Sequence, residues 1–174
     1  MSKNVVFEDY SVEVKTAIKE KAVSFLKEVG GELRSLTQRN SRRKTSKTAG
    51  SYEYKVDEGQ LAVHVGSDYE NAIWEELGTG EHAIDKHGKP SGKGRKGWWV
   101  YVEGSPTKSS SKSKSKSYSS PEQAKKAVAI LRKKGLNAHY TNGKTANRPL
   151  FKAFESSKSR IIRRAEEIFG GLNS

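Results

Sequence analysis

Val65-Gly66-Ser67-Asp68-Tyr69-Glu70-Asn71-Ala72-Ile73-Trp74-Glu75-Glu76-Leu77-Gly78-Thr79-Gly80 carries a strand end, a short helix and a glycine stop within one stretch. Val63 and Val65 alternate with polar neighbours, as the end of a half-buried strand does. Asn71 to Leu77 reads as a helix with Ala72, Ile73, Trp74 and Leu77 on its apolar side, and Gly78 stops it.

Upstream, Ser51 to Asp57 repeats the alternation through Tyr52, Tyr54 and Val56, and Leu61 to Ser67 through Leu61, Val63 and Val65. The Glu58-Gly59 turn between them makes a β-hairpin. From about Asp9 to Gln38 apolar residues recur at Val14, Ile18, Ala22, Phe25 or Leu26, Val29, Leu33 and Leu36, the spacing of one helix face. Gly30-Gly31 interrupts it, each glycine costing about 1 kcal/mol relative to alanine, yet the periodicity supports one long helix. Its amphipathic face is the nearest cover for the hairpin. Gln38 to Lys47, with Arg39, Arg42, Arg43, Lys44 and Lys47 and no apolar period, reads as an exposed loop.

Downstream, Trp98-Trp99-Val100-Tyr101-Val102 has strand composition and is expected to add a third strand. Ser105 to Ser120 is mostly serine and lysine, with Lys108, Lys112, Lys114 and Lys116, and is expected to be a mobile loop. Ser120-Pro121-Glu122-Gln123 places a capping serine, a first-turn proline and a glutamine at the third helical position. Ala124, Ala127, Val128 and Leu131 then share a face, Gly135 ends that helix, and Leu136, Ala138 and Tyr140 alternate as a strand. Pro149 opens a C-terminal helix on which Phe151, Phe154, Ile161, Ala165 and Ile168 are expected to complete the core. The expected architecture is α+β, with a small, mostly antiparallel sheet packed against long N-terminal and C-terminal helices. Residues 1–104 and 141–174 would form a single core domain, and 105–140 a Ser/Lys-rich loop with a basic helix-plus-strand insertion.

The 174 residues are 33% hydrophobic and 30% charged, so the core is modest for the length. No apolar run approaches the roughly 20 residues that span a bilayer, and Met1 to Glu8 lacks a signal-peptide core, so a soluble protein made in a cytoplasm is expected. The absence of cysteine removes thiol chemistry and zinc ribbons. The net charge of +13 is unevenly placed. Residues 1–80 hold 12 Lys and Arg against 13 Asp and Glu, whereas residues 86–152 hold 17 against only Glu103 and Glu122.

Several groupings invite an enzymatic reading and do not support it. His82, Asp85 and His87, near Glu75 and Glu76, match no metal-ligand spacing and lie among basic residues. Gly88-Lys89-Pro90-Ser91-Gly92-Lys93-Gly94 is one residue short of a phosphate loop and puts Gly94 where Ser or Thr is needed. His64 and His139 lie in strands without a neighbouring nucleophile. No catalytic residue, cofactor or metal is therefore expected. Trp74 has two readings of equal weight, a core side chain or an interface anchor.

In order and spacing, Val65-Gly66, the block Ala72, Trp74, Glu76, Gly78, Thr79 and Gly80, the Gly94-Arg95-Lys96 stretch before Trp99-Val100-Tyr101, and the second block Asn147, Arg148, Pro149, Leu150, Phe151 and Phe154 resemble the gene-product-ten-like tail-component family of long-tailed bacteriophages, which is related to minor tail protein Z. Asn71 stands where that family often has tyrosine, and Thr48-Ala49-Gly50-Ser51 lacks its usual lead into the first strand. Residues from about Ser105 to Tyr140 replace what is usually a short connection.

The resemblance implies a structural virion protein of the phage neck, completing the tail or joining head to tail, assembled in the host cytoplasm as an oligomeric ring beside other neck and tail proteins. It implies no membrane. Lys93, Arg95, Lys96, Lys112, Lys114 and Lys116 are candidates for electrostatic contact with a partner or with passing DNA. The alternative is a basic nucleic-acid-binding protein, because Trp98, Trp99, Tyr101 and Tyr140 are interleaved with the charge.

Overall fold

The computed structural model describes residues 11–42, 46–103 and 116–173. In chain order its elements are α1 (Ser11–Asn40), α2 (Lys47–Gly50), β1 (Glu53–Asp57), β2 (Ala62–Gly66), α3 (Glu70–Leu77), β3 (Trp98–Val102), β4 (Ser117–Tyr118), α4 (Pro121–Lys133), β5 (Ala138–Thr141) and α5 (Pro149–Phe169), with 3-10 turns at Gly80–His82 and Gly170–Asn173. The α+β class holds: long helices lie at either end of the sequence, and the strands form antiparallel sheets of two and three members. The chain divides into two compact units, residues 1–68 with 149–174, and residues 69–148.

In the first unit α1 runs unbroken through Gly30-Gly31. Gly30 is needed for close approach rather than for bending, since a Cβ there would collide with the Tyr54 ring and come within 2.9 Å of Val63 Cγ2. The hairpin thus seats directly on the helix backbone. Its register pairs Glu53 with Gly66 and Asp57 with Ala62. Asp57 Oδ1 closes the turn by accepting the N–H groups of Gly59 at 2.9 Å and Gln60 at 3.0 Å. These bonds hold the Asp57 carboxyl below its ordinary pKa. Tyr52, just before β1, is fully buried, and its carbonyl accepts from Arg34 Nε at 3.1 Å. Val23, Val29, Gly30 and Thr37 form the buried stripe of α1, while Val14, at the expected apolar face, remains exposed. The region expected as a loop from Gln38 is helical to Asn40 and again from Lys47; Arg43 and Lys44 lie outside the described residues.

The α5 face that meets α1 starts with small groups and continues with charged and apolar ones, Ile161, Ala165 and Ile168 being half-buried. Pro149, Ala153 and Ser157 are buried, and Ser157 Oγ donates to Ala153 O at 2.7 Å. Further along, Arg164 bridges Glu28 at 2.5 Å and Glu32 at 3.0 Å, Arg160 also pairs with Glu32, and Phe25 meets Phe169 edge-on. Phe151 and Phe154, expected in the core, are instead 43% and 48% exposed. The inward stripe starts from Pro149 and advances by four to Ala153 and Ser157, which turns the two phenylalanines outward.

In the second unit the strand order is β4-β3-β5. Trp98–Val102, expected to extend the hairpin, pairs with Ser117–Tyr118 and Ala138–Thr141 instead. This pairing crosses the boundaries drawn at residues 105 and 140. Ser117 and Tyr118, expected within a loop, form a strand, while residues 104–115, including Lys108, Lys112 and Lys114, lie outside the described residues. The start of α4 follows its sequence: Ser120 is the cap, its Oγ accepts the Gln123 N–H, and Pro121 occupies the first turn. Ala124 and Val128 bury against the sheet face bearing Ala138, whose carbonyl accepts from Arg132 Nε at 2.9 Å. Gly135 leaves the helix at φ 78°, a left-handed turn suited to glycine. Among the described residues no helix is long and apolar enough to cross a membrane.

Candidate functional site

Gly78, Thr79 and Gly80 form a strap bonded to a distant part of the second unit. Gly78 N–H closes α3 onto Trp74 O at 2.9 Å, and its φ of 71° turns the chain out of the helix. Thr79 N–H then donates to Lys144 O at 2.9 Å, Lys144 N–H returns to Thr79 Oγ1 at 2.9 Å, and Glu81 N–H donates to Asn142 O at 3.0 Å. Gly80, at φ 61°, has no room for a side chain: a Cβ would come within 2.6 Å of the Trp99 ring and 2.9 Å of the Asn142 carbonyl carbon. Gly143 is as tightly placed, since its Cβ would lie 2.8 Å from the Thr79 carbonyl carbon. Two glycine-bearing segments therefore pass each other at backbone contact distance.

The two sequence blocks meet at Glu75. Its carboxyl is 1% exposed and accepts from Asn147 Nδ2 at 3.0 Å, while its backbone carbonyl accepts Asn147 N–H at 2.8 Å and Arg148 N–H at 3.3 Å. Arg148 holds a positive φ of 55° as the chain leaves this contact. Glu76, the matched motif residue, is only half-buried; the buried acid is its neighbour. The sequence signal was the presence of Asn147 in one block and a Glu-Glu pair in the other, with no local cue for which glutamate turned inward. Glu81 ties the strap down again, accepting Gly97 N–H at 2.9 Å and Asn142 Nδ2 at 3.2 Å. The Gly97 bond first, and then the Asn142 bond, hold the Glu81 carboxyl below its ordinary pKa.

Around this interior clasp, the other motif residues are placed unequally. Ala72 is buried with Glu75, but Ile73 is 57% exposed and Trp74 39% exposed, so two of the four residues expected on the apolar side of this helix reach the surface. Ala72 faces inward as expected and Leu77 is half-buried, but the second buried position is Glu75, three residues from Ala72. In the first unit Pro149 is buried while Phe151, Phe154 and Ile162 are exposed along one side of α5. Lys158 Nζ lies 6.0 Å over the Phe154 ring.

Of the candidate electrostatic residues, Arg95 is the most ordered by its contacts. Its guanidinium sits 4.8 Å over the Trp99 ring, and its Nη2 donates to Lys116 O and Ser117 Oγ, both at 3.2 Å. Lys93, Lys96 and Lys116 are exposed, and Lys116 Nζ lies 5.7 Å over Tyr118. Lys112 and Lys114 fall outside the described residues. His82 and His87 are exposed, and Asp85 folds its own loop by accepting His87 N–H and Lys89 N–H, each at 2.9 Å. Those bonds, that from Lys89 foremost, lower the Asp85 pKa. Among the described residues no group of three or more His, Asp or Glu could hold a metal ion.

No protein-family model, curated protein or solved structure matches the chain.

Proposed function

We propose that the protein is a structural component of a phage virion, at the neck, where it completes the tail or joins head to tail as an oligomeric ring among other neck and tail proteins. It acts by assembly rather than catalysis, and is built into the particle in the host cytoplasm. The observation that carries this reading is the split within one motif helix: Ala72 and Glu75 serve the interior while Ile73 and Trp74 stand exposed. A large aromatic beside an aliphatic side chain on a short helix is the composition of an interface anchor, and burial of both would supply roughly 3 to 5 kcal/mol before association costs. Phe151, Phe154 and Ile162 offer a second apolar stripe on α5.

Mass spectrometry of purified virions, with antibody labelling in the electron microscope, tests the assignment. The protein should be present at low copy number and label the head-tail junction. Its absence from particles made by a producing host would refute the proposal.

A further inference from the structure

On the three-stranded sheet of the second unit, the face away from α4 is covered at Trp99, by Gly80 and Arg95, and exposed at Tyr101. Cross-strand partners share a face, so Trp98 with Tyr118, Val100 with Tyr140, and Val102 with the buried Ala138 lie on the side against which α4 packs, where Tyr140 stays 39% exposed. The opposite face carries Trp99 with Ser117 and Thr141, and Tyr101 with His139. Tyr101 is 46% exposed and stacks on His139, the rings 5.4 Å apart and 25° from parallel. Beside them Arg95 lies over Trp99, with exposed Lys93 and Lys96 on the same loop. The unit as a whole carries 16 Lys and Arg against seven Asp and Glu, a net of +9. One of those acids, Glu103, borders the face, where it is engaged by Asn137 Nδ2 at 2.7 Å and lies 3.7 Å from His139.

We propose that the exposed Tyr101–His139 part of this face binds single-stranded nucleic acid, with bases stacking on those two rings and phosphates meeting Arg95, Lys93 and Lys96. Flat rings on a strand pair accept any base, and cations along one border supply sequence-independent attraction. A duplex conceals its base faces and so gains only the charge term. The proposal stands apart from the assembly reading, which rests on Ile73 and Trp74; failure of either leaves the other intact.

The test is fluorescence anisotropy of the full chain with a labelled oligothymidylate of roughly 20 nucleotides and with a duplex of equal length. The single strand should bind more tightly than the duplex and quench tryptophan emission as it covers the Trp99 side. Tyr101→Leu, which keeps an apolar side chain in the strand, should weaken binding at least about fivefold, whereas Tyr101→Phe, which keeps the ring, should stay within about twofold. Circular dichroism melts establish that both variants are folded. Should Tyr101→Leu fail to fold, His139→Gln, at the paired position, should show the same direction of loss. Equal affinity for duplex and single strand, an unchanged affinity in a folded ring-less variant, or no anisotropy change up to roughly 100 µM protein would overturn the proposal.

Discussion

Glu75 and Asn147 are clasped twice, the Asn147 side-chain amide donating to the buried carboxyl at 3.0 Å and the Asn147 N–H to the Glu75 carbonyl at 2.8 Å. The pair joins the helix that begins the second unit to the segment that ends it. A buried acid is tolerable only with such partners, because an unmatched polar group inside a protein bears its full desolvation cost. Asn147→Ala removes the side-chain bond and leaves the buried Glu75 carboxyl without that donor, which should destabilise the fold by about 2 kcal/mol. Asn147→Asp should cost more, since it replaces the amide donor with a second acid beside a buried one. Urea unfolding followed by tryptophan fluorescence checks both, read as a lower midpoint at constant slope.

The glycines of the strap differ from those of the open loops in a way that substitution separates. Gly92 has a positive φ of 63° but nothing near its would-be Cβ, so Gly92→Ala should cost only about 1 kcal/mol of backbone strain. Gly80 has a similar φ and also faces the Trp99 ring and the Asn142 backbone. Gly80→Ala should cost at least about 3 kcal/mol and shift Trp99 emission. Equal melting temperatures for the two variants would contradict this packing of Gly80 against Trp99 and Asn142.

The exposed parts of Ile73 and Trp74 contribute little to the isolated chain if their role is assembly. Ile73→Asp should change unfolding free energy by no more than about 0.5 kcal/mol, the range of ordinary surface substitutions, whereas Trp74→Ala, which also removes the buried part of a ring that is 39% exposed, should cost about 1 to 2 kcal/mol and leave the chain folded. Phage production with these variants should nevertheless fall at least about tenfold in a complementation assay, because truncating an interface anchor costs about 2 kcal/mol or more. Normal particle yield from folded variants counts against the proposed interface.

Acid should loosen the strap and the turns that carboxylates close. Glu81, Asp57 and Asp85 each have a folded pKa lowered below ordinary values of 4.5 for Glu and 3.8 for Asp, through hydrogen bonds from backbone N–H groups. A depressed folded pKa means that the stabilisation is present above the ordinary value and is lost as pH falls through the lowered one. The melting temperature should therefore hold from neutrality to the ordinary carboxylate range and decline below it. In Glu81→Gln the acid limb should be shallower, and the neutral-pH melting temperature lower, since an amide nitrogen cannot accept from Asn142 Nδ2.

Glu32 and Arg164 tie α1 to α5 at 3.0 Å with side chains only 20% and 28% exposed. A double-mutant cycle through Glu32→Ala and Arg164→Ala should return a coupling of about 1 kcal/mol. Raising salt to about 1 M should reduce it, as screening shortens the reach of charge. A coupling indistinguishable from zero would mean that this pair adds nothing to the Ala153, Ser157 and Phe25–Phe169 contacts between the helices.

Local signals were legible wherever neighbouring residues decide the conformation. The Ser120 cap, the Pro121 first turn, the Gly78 and Gly135 stops, the hairpin and the unbroken α1 follow from short-range sterics and hydrogen bonding, so the sequence by itself determined them and with them the α+β class. Which side of a helix faces inward was decided only by tertiary structure. On α3 the interior took Glu75 in preference to Trp74 because Asn147, far along the chain, supplies the donor. On α5 it took Ala153 and Ser157 in preference to Phe154 because α1 approaches closely there. Strand partnership was equally non-local: Trp98–Val102 could satisfy its backbone on any free edge, and it paired with β4 and β5. Periodicity records that a face is apolar; only the partner that arrives determines whether that face is buried or left to meet another molecule.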